Sequence, residues 1–294
     1  ILHFRQAFHG RSGYTLSLTN TDPRKTDLFA KFDWPRVTNP AIDFSLDESK
    51  RGQHAAADEE KAVGEIRAAL QARPHEIAAI IIEPIQGEGG DKHFRGEFLH
   101  ELRGICDEHD LLLIFDEIQC GMGVTGRMWC CQHFDVLPDL LAFGKKSQVC
   151  GVMAGPRLDD VPENVFRTPG RINSTWGGNL ADMVRCKHLL HIYEHDDLVN
   201  HAARMGQRLL TQLQALAAEA PILSGVRGRG LMLAFDLENG ALRDSFWQGC
   251  YDQGLLMLRC GTQSIRLRPA LDVTPDVVDA AIDVMRKHCR QAQN

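Results

Sequence analysis

No apolar run in this chain approaches the roughly 20 residues needed to cross a bilayer, which excludes a membrane-spanning helix. A basic block is missing as well. The net charge of −6 is spread through the sequence, so nucleic acid is not expected as a partner. The 9 cysteines fall at positions 106, 120, 130, 131, 150, 186, 250, 260 and 289. No pair has the two-residue spacing of a metal knuckle, and a scattered, odd number suits the reduced thiols of a cytoplasmic protein, so neither a structural metal nor a disulfide framework is expected. There is no internal repeat and no low-complexity tract. An initiating methionine is absent too: the chain opens at Ile1, inside what reads as a strand from Leu2 to Phe8. It therefore reads as a fragment whose targeting signals, if any, precede it.

What is present is a chain of 294 residues, 44% hydrophobic and 24% charged, enough to bury a substantial core. After the first strand, Thr19 to His54 is irregular and polar, with the character of a long active-site or interface loop. Ala62, Val63, Ile66 and Leu70 then mark a helix over Asp58 to Ala72, and Ile77 to Ile82 reads as a buried strand. Helix Gly96 to Glu108, strand Leu111 to Phe115 and strand Leu140 to Phe143 continue the alternation. That order predicts a mostly parallel sheet with helices on both faces. Beyond Asn179 the texture changes to amphipathic helices over 181–194 and 198–218. Short strands follow around 230–237, 255–258 and 265–267, with a closing helix over 275–290. The expectation is an α/β large domain over 1–195 and a smaller α+β domain over 196–294.

Two segments carry the chemistry. The apolar strand ending in Asp116-Glu117 puts a carboxylate at the carboxyl edge of a buried sheet, where α/β proteins bind ligands. Strand Leu140 to Phe143 leads to Gly144-Lys145, which would open into the same crevice. A facing carboxylate and amine are what pyridoxal 5′-phosphate (PLP) requires: the lysine forms a Schiff base with the aldehyde, and the acid keeps the pyridine nitrogen protonated.

The residues then extend the match. Asp116-Glu117-Ile118-Gln119, Gly121-Met122-Gly123, Thr125-Gly126, Pro138-Asp139 and Gly144-Lys145 resemble the signature of the class III (ornithine and GABA type) PLP-dependent aminotransferases. AFHGRSGYTLSLT from Ala7, IIIEPIQGEGGD from Ile80, NSTWGGN from Asn173 and SIRLRPAL from Ser264 agree in order and spacing, so the likeness runs along the whole chain. The resemblance implies a fold-type I PLP-dependent transferase lacking its N-terminal part. It makes Lys145, which directly follows Gly144, the Schiff-base lysine in preference to Lys146. Asp116 becomes the partner of the pyridine nitrogen, and Gln119 a neighbour of the cofactor's phenolic oxygen. Phe8 and His9 fall where the family sets an aromatic ring against the pyridine face. Thr175 would reach the cofactor phosphate of a neighbouring subunit, which implies a homodimer.

The same resemblance makes Arg266 the grip for a substrate carboxylate and Glu88 its switch partner. Glu88 would neutralise Arg266 when an ω-amine is bound and swing away for L-glutamate or 2-oxoglutarate. Arg268 shares the face of Arg266 and is expected to be structural. FGKKSQVCGVMAG and RINSTWGGNLADMVR are most similar to class members acting on the ε-amino group of L-lysine. Such an enzyme passes that group to 2-oxoglutarate, giving L-glutamate and 2-aminoadipate 6-semialdehyde. Members acting on ornithine, acetylornithine or GABA are the nearest alternatives, followed by an aminomutase on the same scaffold and a non-catalytic protein of the same fold.

Overall fold

Short runs of isoleucine, leucine and phenylalanine between polar breaks become the strands of the main sheet in the computed structural model, which describes residues 1–172 and 174–292. His3–Phe4 (β1) is tied to that sheet by a parallel bridge between Leu2 and Ile80. Ala79–Ile82 (β2), Leu112–Asp116 (β3) and Leu140–Phe143 (β4) lie parallel in that order, and Gly151–Ala154 (β5) joins antiparallel beyond β4. Two helices precede strands. Glu48–Ala72 (α1) presents Ala55, Glu59, Ala62 and Ile66 to the interior, and Gly96–Glu108 (α2) sets Phe98, Leu99, Leu102, Ile105 and Cys106 against β2 and β3.

Helices do not cover both faces of this sheet among the described residues. Ile80, Ile82, Leu113 and Phe115 are buried, whereas Leu112, Ile114, Leu140 and Ala142, which alternate to the other face, are half-buried, and Val152 and Ala154 are exposed.

The remainder builds a second sheet. Leu180–His195 (α3) and Leu198–Glu219 (α4) lead into the strands Ser224–Arg229 (β6) and Met232–Asp236 (β7). Gly240–Tyr251 (α5), Leu258–Cys260 (β8), Ser264–Leu267 (β9) and Pro275–Ala292 (α6) complete it. The four strands are antiparallel in the order β8-β9-β7-β6. Helix α4 packs on β6 and on α6, and α5 packs on β8, β9 and α6. Buried side chains from Leu2 to Cys289 form one continuous apolar core across both sheets.

Several expected boundaries move. The first strand is only His3–Phe4. Helix α1 begins ten residues before Asp58, because its first turns are polar and give no apolar periodicity to read. The stretch 19–54 is irregular, as expected, except for the short helix Pro23–Thr26, the two-residue strand Arg36–Val37 and the first turns of α1.

Candidate active site

Parallel register brings three strand ends to one edge. Ile82 lies beside Phe115 and Asp116 beside Ala142, so Glu83, Asp116 and the turn into Lys145 leave the sheet next to one another. This is the carboxyl edge of the strands, the usual ligand edge of such sheets.

The Asp116-Glu117 pair divides into two roles. Glu117 turns inward, and its two oxygens accept the backbone N–H groups of Cys130 and Cys131 at 2.6 and 2.7 Å, pinning the turn at Cys130–His133. Asp116 faces the crevice. Its Oδ1 accepts the N–H of Ile118 at 3.1 Å and its Oδ2 meets His9 Nδ1 at 2.8 Å. Burial disfavours the imidazolium of His9, but the hydrogen bond and charge of Asp116, with the charge of Glu83, outweigh it and raise its pKa. His9 Nε2 is buried with no partner among the described residues.

Glu83 completes this acid cluster. Its oxygens accept the N–H of Phe8 at 2.9 Å and of Gly87 at 3.1 Å, tying the loop of His9 to the loop of Glu88. Burial, with the nearby charge of Asp116, pushes its carboxyl up to about 7 against the pull of His9 and those two N–H groups.

At the other side of the crevice Lys145 begins a 3-10 turn with φ of 51° and is exposed. No hydrogen bond or ion pair engages its amine among the described residues. Lys146 is half-buried and donates to the carbonyl of Gln119 at 3.1 Å. Burial and the charge of Arg268 bring its pKa down to about 8.

Strand β9 and the residue just after it bring two arginines to this crevice. Arg266 reaches Gln119 Oε1 with Nη1 at 3.0 Å and Glu88 Oε2 with Nη2 at 3.2 Å, and its Nε is buried without a partner among the described residues. Arg268, two residues on, is taken up by Asp91, by Gln119 Oε1 at 3.1 Å and by the carbonyls of Leu233 and Leu267. Its Nε, like that of Arg266, is buried without a partner among the described residues. The close approach of Gln119 depends on Gly87, since a Cβ there would lie 2.1 Å from Gln119 Oε1.

The structure thus pairs His9 with Asp116 and, separately, Arg266 with Glu88 and Gln119, with Glu83 tying the loops of Phe8 and Gly87 between the two groups, and sets Lys145 on the adjacent strand end. Thr175 stays exposed in a turn, with no side-chain partner among the described residues. Asn173, quoted with it in the motif, lies outside the described residues. Glu83 and Lys25, which bonds to Glu88, were not anticipated. Glu83 had a readable signal, an acid straight after a strand that parallels Asp116; Lys25 had none, being 63 residues from its partner.

Sheet, crossover order and the acid-amine pair at one strand edge define a class, and the comparison with protein families agrees. The chain belongs to the class-III aminotransferases: the family model matches residues 1–289. It is similar to the L-lysine-epsilon aminotransferase of Mycobacterium tuberculosis (strain ATCC 25618 / H37Rv), 51% identical over 287 residues, which is 97% of this chain and 63% of the relative. The enzyme of the same name from Streptomyces clavuligerus is 45% identical over 290 residues, 97% of this chain and 62% of the relative. The mitochondrial 4-aminobutyrate aminotransferase of Mus musculus is 34% identical over 280 residues, 92% of this chain and 54% of the relative. Among solved structures, a lysine aminotransferase from M. tuberculosis superposes with a TM-score of 0.94 at 51% identity, over 98% of this chain and 65% of that one. The chain therefore spans about 63% of the length of the L-lysine-epsilon relatives.

Proposed function

We propose that the protein containing this chain transfers the ε-amino group of L-lysine to 2-oxoglutarate with PLP as cofactor. The observation that carries the reading is Arg266, a buried guanidinium with a free Nε–H, held by the amide oxygen of Gln119 and by one carboxylate, that of Glu88. Relatives named for lysine at 45–51% identity, against 33–34% for those named for 4-aminobutyrate, support lysine as the donor.

The donor set suits the cofactor. Asp116, held in place by its hydrogen bond to His9, would pair with the pyridine nitrogen and keep a proton on it. Lys145, with a free amine, would bond to the aldehyde, and Phe8, His9 and Gln119 would border the ring. When bound, the cofactor supplies an electron sink for the carbon next to the substrate nitrogen. Lys145 Nζ takes the proton from that carbon and returns it, which requires an amine with no competing ion pair. Arg266 takes the dicarboxylate through two parallel N–H donors once Glu88 has moved, and is neutralised by Glu88 when lysine occupies the site. One crevice can so serve two unlike substrates in alternation.

The reading includes a homodimer in which Thr175 serves the neighbouring copy's cofactor phosphate, a cytoplasmic location, and two domains, 1–195 and 196–294, with the site between them. Assay of the full-length enzyme with 2-oxoglutarate tests it. L-Lysine should exceed L-ornithine, N-acetylornithine and GABA in kcat/KM by at least about 10-fold. A preference for another of these amines contradicts the substrate assignment, and turnover without a keto acid contradicts the reaction.

A further inference from the structure

We infer that Lys25 is the second anchor of Glu88 and that it sets how readily Arg266 is released to a dicarboxylate. Glu88 bridges two cations: its Oε1 is bonded to the ammonium of Lys25 and its Oε2 to Arg266 Nη2 at 3.2 Å. Lys25 is itself placed by a short built turn. It lies in the helix Pro23–Thr26, whose N-cap Asp22 accepts the N–H of Arg24 at 3.0 Å, and its ammonium sits 5.6 Å from the centre of the Phe8 ring. The side chains of Lys25 and Glu88 are 27% and 24% exposed, shielded enough for their pairing to count.

The role follows from charge accounting. Burial raises the pKa of Glu88, but the hydrogen bond of Lys25 and the charges of Arg266 and Lys25 prevail and lower it, so the bridging carboxylate is ionised. A carboxylate that left with no partner would lose its ion pair in a half-buried place. With Lys25 already on the other oxygen, the departing Glu88 stays paired, and its hold on Arg266 is weakened in advance. Lys25 and Glu88 both open on a cleft of about 480 Å³ whose other cations, Arg24, Arg243 and Arg259, are bound to Asp22 or Asp244. Lys25 alone among them is committed to the switch.

This inference rests on the proposed alternation of an ω-amine with a dicarboxylate. Its test uses the full-length holoenzyme carrying Lys25→Met, Lys25→Arg, Glu88→Gln and the Lys25→Met/Glu88→Gln pair. Two readouts are taken: calorimetric Kd for glutarate, a dicarboxylate that cannot react, and the Michaelis constants for L-lysine and 2-oxoglutarate. Lys25→Met should weaken glutarate and 2-oxoglutarate about 10-fold, equal to about 1.4 kcal/mol, and leave the Michaelis constant for lysine within about 2-fold. Lys25→Arg should restore the dicarboxylate, and on the Glu88→Gln background Lys25→Met should change glutarate binding less than about 3-fold. Three results overturn the inference: no weakening, equal weakening for lysine and dicarboxylate, or the same 10-fold loss without the charge of Glu88. Glutarate binding is read without turnover, so a wild-type enzyme inactive on lysine would refute the substrate assignment separately.

Discussion

The acid end of the candidate site and its amine end are built in opposite ways. Asp116, His9 and Glu83 are buried, bonded to one another's loops and continuous with the core, whereas Lys145 is exposed and its amine unengaged. One end is held by its own chain; the other leaves its reactive group unencumbered. The contrast suits their proposed duties, because an acid that must keep a ring nitrogen protonated gains from a fixed, shielded partner, while an amine that must change partners gains from having none.

Substitutions at the two ends should therefore fail differently. Lys145→Ala should lower kcat by at least about 10³-fold, while its unfolding free energy, read from urea melts, stays within about 0.5 kcal/mol of wild type. A melt shifted by several kcal/mol would show that Lys145 is structural. Asp116→Asn should lose both activity and stability, by roughly 3 kcal/mol, because His9 is left buried without its counter-charge. An Asp116→Asn protein as stable as wild type would erase the contrast.

Between the ends, Arg266→Lys should weaken the productive binding of 2-oxoglutarate about 10- to 100-fold, read as a rise in its Michaelis constant, since an ammonium cannot offer two parallel donors. A change confined to the Michaelis constant for lysine would reverse the assignment.

The smallest effect concerns Glu83 and pH. Its carboxyl rises from 4.5 to about 7 on folding, so the native state binds more protons between those values and its contribution to stability falls as pH rises from 4.5 to 7. Glu83→Gln gives up one accepted N–H bond, worth about 1 kcal/mol, but removes that pH-linked loss. The variant's stability relative to wild type should rise steadily between pH 5 and pH 8. A deficit that grows with pH would contradict the shift.

Much of this was legible in the sequence, for a physical reason. Strand Leu140–Phe143 and helix Gly96–Glu108 have the expected bounds because local apolar pattern and burial coincide there. Asp116 and Lys145 could be singled out because each follows an apolar strand, and Arg266 and Glu88 because SIRLRPAL and IQGEGGD resemble the family's motifs. The segments that escaped notice have weak local patterns. SGVRGR in β6 alternates glycine and arginine and becomes a strand by pairing with β7, and α5 opens and nearly closes on glycines. Bonds between distant positions were out of reach for any local pattern. His9 was expected at the cofactor face, and the structure commits its Nδ1 to Asp116, 107 residues away. Gln119 was expected beside a cofactor oxygen, and in the structure its amide oxygen collects both Arg266 and Arg268.

The neighbouring lysines offer the sharpest decision. The amine of Lys146 is brought down to about 8, yet it is spent on the carbonyl of Gln119; Lys145 is the free one. Borohydride reduction of the PLP-loaded full-length enzyme, followed by peptide mass mapping, reads which amine carries the cofactor. The pyridoxyl mass is expected on Lys145 alone; a mass on Lys146, or on neither lysine, rules out Lys145 as the Schiff-base residue.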